Sequence, residues 1–408
     1  MIVIKYIWYY TMWTLVKIGL HLYYSKIKIS GRKNIPKNTP IIFGSNHENA
    51  FIDALLITTS NTRFDHYLVR AGVFNNRVAK FFLNSLNLMP VYRAQDGVNP
   101  LEANQQIFRA CFEALAKKYA VMLFPEGEHN IRRHRRVLKK GITRIALGAV
   151  NFVGGTKQVS VVPVGVNYSD HTGFRSAVHI VFGEPIIVKQ QEENPVNYNK
   201  LTTEITDAIS KVHVSLDRDE YSGLDAVFFH DLNSHDLIEP TAINQRASEI
   251  QDRSEKLNKI FDQKKELEAA GISFPFRPIS TMDTLAMFFI APLALCGLVL
   301  NLPVLLPVNW FVNTKIKEIE FVASLKFGFA LAGFGIWWWL MGSWIWDYSQ
   351  EWAFAVLGVL VAILSLISLN GFLRKWKRFR TTRMAFSNEE LKAKYLTFVE
   401  QANQLRNS

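Results

Sequence analysis

Residues 40–53 read PIIFGSNHENAFID, and the organisation of the first half of the chain follows from them. Pro40–Gly44 is a short apolar run that ends in the polar group Ser45-Asn46-His47, and Asp53 stands six positions after the histidine. An apolar run of this length, bounded by turn residues, reads as a buried strand feeding a loop. Comparable runs recur at Tyr67–Val69, Met89–Tyr92, Ala120–Phe124, Val159–Val166 and Val178–Phe182, with helical stretches at 102–118 and 140–152 between them. That alternation predicts an α/β domain over 29–215 with a mostly buried mixed sheet.

The polar residues at the strand ends are the ones that can do chemistry. The chain contains no Walker loop, no Gly-x-Gly-x-x-Gly, no Gly-x-Ser-x-Gly and no His-Glu-x-x-His, which argues against an ATPase, a serine hydrolase and a zinc protease. His47 with Asp53 can form a base without a serine: the carboxylate orients one ring nitrogen, and the other takes a proton from a hydroxyl. Phe124-Pro125-Glu126-Gly127 follows the strand AVMLF, where Pro and Gly demand a tight turn and a carboxylate can grip a polyol. Arg93 lies just past the strand in LMPVYR, and Pro163 and Gly165 punctuate VVPVGV. Arg132, Arg133, Arg135, Arg136, Lys139, Lys140 and Arg144 form a basic run with no acid inside it, which suits an anionic ligand.

Together and in this order, NHENAFID, LMPVYR, LFPEG and VVPVGV resemble the four motifs of the glycerolipid acyltransferases, a family that includes bacterial lysophosphatidate acyltransferases and membrane-bound glycerol-3-phosphate acyltransferases. The resemblance covers residues 30–215, and LKKGITRIALGA (138–149) extends it past the third block. It implies that His47 is the general base oriented by Asp53, and that Arg93 binds a substrate phosphate. It also implies that Glu126 and Gly127 bind the glycerol-phosphate moiety, with Lys139 and Lys140 as further phosphate contacts. Two features depart from the commoner pattern. Five residues separate His47 from Asp53 instead of four, and Glu128-His129 follows FPEG. Both are similar to the fungal-type glycerol-3-phosphate acyltransferases, so glycerol-3-phosphate is the expected acceptor, with lysophosphatidate or another lysophospholipid as the alternative. The implied co-substrate is a fatty acyl thioester, either acyl-CoA or an acyl-carrier protein. No bound cofactor and no metal is expected.

The remainder of the chain points to a membrane. Residues 327–346 and 352–373 are uncharged runs of 20 and 22 residues. At 1.5 Å per residue each reaches about 30 Å, the thickness of a hydrocarbon core. Residues 284–314 are also uncharged, but Asn301, Pro303, Pro307 and Asn309 interrupt them, and a re-entrant hairpin over 283–314 is expected. Residues 1–28 read as an interfacial or membrane helix, 216–282 as an amphipathic helical segment, 315–376 as two transmembrane helices and 377–408 as a basic cytosolic tail.

The net charge of +12 is concentrated in two patches, with seven cations in 132–144 and six in 374–383. Counted from the second patch, the positive-inside rule puts the α/β domain on the cytosolic face of an integral, multi-pass protein. The two cysteines, Cys111 and Cys296, form no zinc or disulfide pattern. No ionisable residue interrupts the apolar runs, which disfavours a channel or transporter. The second basic patch abuts a span, so membrane lipid and not nucleic acid is the expected partner. A catalytically silent lipid-binding scaffold on the same fold is the non-enzyme alternative.

Overall fold

The computed structural model describes residues 2–93, 96–134, 136–152, 155–250 and 253–407. The strands are β1 (Lys26–Ser30), β2 (Ile41–Ser45), β3 (Asp65–Arg70), β4 (Leu88–Val91), β5 (Ala120–Leu123), β6 (Gln158–Tyr168), β7 (Ala177–Phe182) and β8 (Ile186–Lys189). They form one sheet in the order β1-β7-β6-β2-β5-β3-β4, with β8 also paired to β6. All pairings are parallel except those of β6 with β7 and β8, so the sheet is mixed. The six strands expected from sequence are present. The outer strands β1 and β8 were not anticipated. The β1 sequence, KIKIS, alternates Lys with Ile as an edge strand does.

Helices α1 (Ile2–Tyr23), α2 (Ala50–Thr59), α3 (Arg77–Ser85), α4 (Pro100–Ala103), α5 (Gln105–Ala116), α6 (Gly141–Asn151) and α7 (Pro195–Val212) accompany the sheet. The pleat sorts the core into two layers, as a strand period of two requires. Ile41 and Phe43 pack with Leu20, Tyr24, Ile52 and Leu56 of α1, α2 and the α1–β1 join. Ile42 faces Leu115, Ile142, Ile145 and Ile209 of α5, α6 and α7 on the opposite side. Because β2 to β6 are mutually parallel, their carboxyl ends lie on one edge, where ligand sites form in open α/β sheets.

Helices α8 (Tyr221–Phe229), α9 (Pro240–Ile250) and α10 (Ser254–Ala269) follow, then α11 (Thr281–Lys315), α12 (Val322–Ser349), α13 (Trp352–Ser387) and α14 (Glu389–Asn407). The expected basic tail over 377–408 is not a tail. Within α14, Tyr395, Phe398, Ala402 and Leu405 are buried against Leu224, Ile260, Leu267 and Phe276, so 216–282 and the carboxyl end share one helical core. The apolar spacing of α14 buries a full face, and basic composition alone did not reveal it.

Among the described residues three helices are long and apolar enough to cross a membrane: α11, α12 with the turn before it, and α13. The break expected within 283–314 is absent, since α11 is helical throughout, with Pro292, Pro303 and Pro307 inside it. Its course is nevertheless not straight. In its first half Asp283 pairs with Lys375 and Arg378, and a Cβ on Gly297 would stand 2.1 Å from the Ser365 carbonyl oxygen. Asn301 Nδ2 donates to the Ala362 carbonyl at 3.1 Å.

In its second half α11 leaves α13 for α12. Trp337 Nε1 donates to the Leu300 carbonyl at 2.8 Å, and the Phe311 and Phe329 rings lie 4.9 Å apart. Between these halves Trp338 Nε1 donates to Asn301 Oδ1 at 3.1 Å. Helices α12 and α13 are themselves antiparallel, because Ile345 abuts Gly358 beside their short turn while Lys326 and Arg374 both feel the charge of Asp170 at the other end. Both ends of α11 therefore lie at the open end of that hairpin. The helix bends near Asn301–Pro303, where proline removes a ladder hydrogen bond.

Candidate active site

Four chain segments meet at the carboxyl edge of the sheet. The side chain of Asn46, just past β2, holds the backbone of β6 like an extra ladder rung. Its Nδ2 donates to the Val166 carbonyl at 3.0 Å and its Oδ1 accepts from Val166 N at 2.8 Å. This fixes the next residue, His47, whose ring stacks on Phe124 with centroids 3.9 Å apart and planes 10° from parallel. His47 Nδ1 lies 2.8 Å from Asp53 Oδ2. That oxygen also accepts the backbone N–H groups of Glu48 at 3.0 Å and Asn49 at 2.8 Å. An oxygen receiving two amide protons acts as an acceptor, so Nδ1 carries the ring proton and Nε2 offers its lone pair. Asp53 is fully buried, and its other oxygen accepts the Tyr168 hydroxyl from the end of β6. Burial and the neighbouring Asp53 push the Tyr168 phenol well above its ordinary range, so it remains a donor.

Between the histidine and the aspartate, Ala50 adopts φ +43°, a left-handed conformation unusual for alanine. Such a residue is held there only by its surroundings. The surroundings include buried Glu48, paired with half-buried His171 at 2.8 Å, and Asn49 Nδ2, which donates to the His171 carbonyl at 2.7 Å.

The FPEG turn forms the second wall. Gly127 has φ +75°, a left-handed backbone that favours glycine, and the end of the Lys139 side chain lies against it, with Nζ 2.7 Å from where a Cβ would stand. Arg93 Nη1 donates to the Gly127 carbonyl at 2.7 Å, while its backbone N–H is fixed by Asp96 Oδ2 at 2.8 Å. Arg93 Nε is buried without a partner among the described residues. Arg93 and Lys139 thus converge on one glycine, and a phosphate is the natural ligand of two such cations. Lys140 precedes α6 and is exposed; among the described residues no contact draws its side chain to Gly127.

Glu126, expected from the resemblance to bind the glycerol-phosphate moiety, is already engaged within the protein. It is buried, accepts the His47 backbone N–H at 3.3 Å and pairs with Arg136. Burial lifts its carboxyl to about 8 against the pull of the Arg136 guanidinium. These contacts brace the turn under His47. Arg136 also donates to the His47 carbonyl at 3.2 Å, and Arg133 packs over Phe229 and donates to the Tyr168 carbonyl at 2.9 Å. The basic run is therefore not a free anionic-ligand patch throughout, because part of it is consumed in bracing. Arg135 lies outside the described residues. In VVPVGV, a Cβ on Gly165 would come within 1.9 Å of the Val212 carbonyl oxygen, so this motif seats β6 against the end of α7 and carries the strand to Tyr168.

Tyr168 and the Glu48–His171 pair were not singled out from sequence, and His129 stood out there only as a departure after FPEG. His129 stands edge-on to His47 at 5.5 Å, and 3.6 Å from Glu318 just before α12. Tyr168 could have been found by counting: with Val162, Val164 and Val166 it shares the β6 face that packs on α2. His129 and Glu318 meet only through the tertiary fold.

A family profile described as Acyltransferase matches residues 26–167. The chain is 27% identical over 198 residues to "Glycerol-3-phosphate O-acyltransferase 2" of Saccharomyces cerevisiae, covering 45% of this chain and 25% of that protein. It is 32% identical over 109 residues to "Glycerol-3-phosphate O-acyltransferase 1" of the same yeast, covering 26% of this chain and 14% of that one. The chain thus spans a quarter or less of the length of either relative. Among solved structures, the 1-acyl-sn-glycerophosphate acyltransferase of Thermotoga maritima aligns with 18% identity over 47% of this chain and 75% of that one, with a TM-score of 0.36.

Proposed function

We propose that this chain, whose residues 26–167 match the Acyltransferase profile and whose motifs resemble those of the glycerolipid acyltransferases, moves a fatty acyl group from a thioester donor to a hydroxyl of glycerol-3-phosphate, a step of phospholipid biosynthesis. One observation carries the reading: the oriented His47–Asp53 pair and the two cations converging on Gly127 occupy the same sheet edge.

His47 Nε2 takes the proton of the acceptor hydroxyl as its oxygen attacks the thioester carbonyl. A C–O bond forms and the carbonyl becomes an oxyanion. Collapse of that intermediate breaks the C–S bond, and the imidazolium returns its proton to the departing thiolate. No acyl-enzyme forms. General-base assistance of this kind supplies about 10²–10⁴ in rate. Arg93 and Lys139 provide a further share by fixing the acceptor phosphate relative to His47. The donor is acyl-CoA or an acyl-carrier protein thioester. Helices α12 and α13 cross the bilayer, α11 enters and returns, and the catalytic domain and α14 share the cytosolic face with the basic end of α13.

The test is acyl transfer by the full chain in lipid nanodiscs, with one acyl-CoA offered to glycerol-3-phosphate, lysophosphatidate and other lysophospholipids. Formation of lysophosphatidate from glycerol-3-phosphate is expected. Selective use of a lysophospholipid would move the acceptor to that class, and no transfer to any acceptor would favour a lipid-binding scaffold.

A further inference from the structure

The first turn of α12 reaches into the loop that carries His47 and Asp53. Ser324 is fully buried, and its Oγ donates to the Asn49 carbonyl at 2.8 Å while accepting the Ile52 N–H at 3.0 Å. A serine in an apolar helix ordinarily returns its hydroxyl to a carbonyl of its own preceding turn. Ser324 instead spends both its donor and an acceptor site on another element, 272 or more positions away in sequence. The two groups it binds bracket Ala50, the left-handed residue of the loop, and Asn49 N is one of the donors that hold Asp53 Oδ2. The neighbours of Ser324 belong to the same wall: Ala323 and Phe327 are buried with Ile52 and Tyr23, and Phe321 packs edge-on to His129 at 4.7 Å.

We propose that Ser324 is a positioning residue for the His47–Asp53 pair. Its hydroxyl fixes the backbone on both sides of Ala50, so the geometry of the base depends on the docking of α12. The kinetic part of this inference rests on the acyl-transfer reading above; the structural part does not.

The experiment compares full-length wild type, Ser324→Ala and Ser324→Cys in nanodiscs, by amide hydrogen exchange and by steady-state acyl transfer. Cysteine fills the same space with a far weaker hydrogen-bonding group, so it separates bonding from packing. Both variants are expected to speed exchange of the amides between residues 48 and 53 by about tenfold or more, with the strands β2, β5 and β6 unchanged. Both are expected to lower kcat by about 10- to 100-fold, as small misplacement of a reacting group does, with the acceptor KM nearly constant. Wild-type exchange and kcat in Ser324→Ala would overturn the proposal. So would a normal Ser324→Cys beside an impaired Ser324→Ala, which would make the role one of filling space, or faster exchange throughout the sheet in both variants. If the wild type transfers no acyl group, the reaction reading fails, and the local exchange result still decides the role of Ser324.

Discussion

The Tyr168 hydroxyl donates to the Asp53 oxygen that His47 does not use, so the aspartate is held from β6 on one side and by the loop amides on the other. Replacing Tyr168 by Phe keeps the ring and removes only that bond. A hydrogen bond to a charged acceptor contributes about 1.5–3 kcal/mol. Part of that loss should appear as a kcat reduced by roughly tenfold with unchanged acceptor KM, measured on variant protein with an unaltered thermal midpoint. An equal kcat would mean that the backbone amides alone suffice to set Asp53.

We propose that Arg93 and Lys139 hold the acceptor phosphate, because both reach Gly127. Arg93→Ala should raise the acceptor KM by roughly 10- to 150-fold, the range of a charge-assisted pair. The donor KM should be unaffected. Arg132→Ala, at an exposed position, should change neither constant appreciably. If Arg93→Ala left acceptor kinetics intact while Lys139→Ala did not, the phosphate would sit wholly on the lysine side of the turn.

Asp65 is fully buried, and burial raises its carboxyl from 3.8 to about 7. One of its oxygens accepts from Asn61 at 3.1 Å and the other is unpaired among the described residues. A raised folded-state pKa means that the protonated form is favoured in the fold. Its stabilisation is complete below the unfolded value and is lost as pH rises toward 7, by up to about 1.4 kcal/mol per pH unit. Asp65→Asn removes the titration. The thermal midpoint of the variant should therefore gain on wild type between pH 4 and pH 7, and a constant gap across that window would contradict the assignment.

The bend of α11 makes a topological statement that cysteine labelling can check. In a Cys296→Ser background, where the remaining Cys111 is buried, cysteines introduced one at a time at Asn199 and Gln401 should react with an impermeant reagent from the same side of a sealed vesicle. A cysteine at Ser349, in the turn end of α12, should react from the other side. If those at Asn199 and Gln401 reacted from opposite sides, α11 would cross the bilayer instead of returning.

Much of the α/β domain was readable because its parallel strands are buried on both faces and so appear as uninterrupted apolar runs, as PIIFG and AVML do. The pairing of His47 with Asp53 was readable because the two are close in sequence. What escaped was non-local. The pairing of Glu126 with Arg136 beneath His47 could not be read from a strand-end carboxylate and a basic run. Ser324 is an ordinary residue in an apolar helix until the fold sets it beside Asn49. The carboxyl end looked like a tail since its charges are conspicuous and its apolar face is only four residues of α14 deep in the helical core.

His47 bears the central step of the proposed reaction. Steady-state kinetics of His47→Ala, with glycerol-3-phosphate varied at a fixed acyl-CoA concentration, should show kcat reduced by at least about 10² with the acceptor KM little changed, because the imidazole acts chiefly in the transition state. Turnover near that of the wild type would contradict the general-base role and, with it, the reading of this sheet edge as an acyl-transfer site.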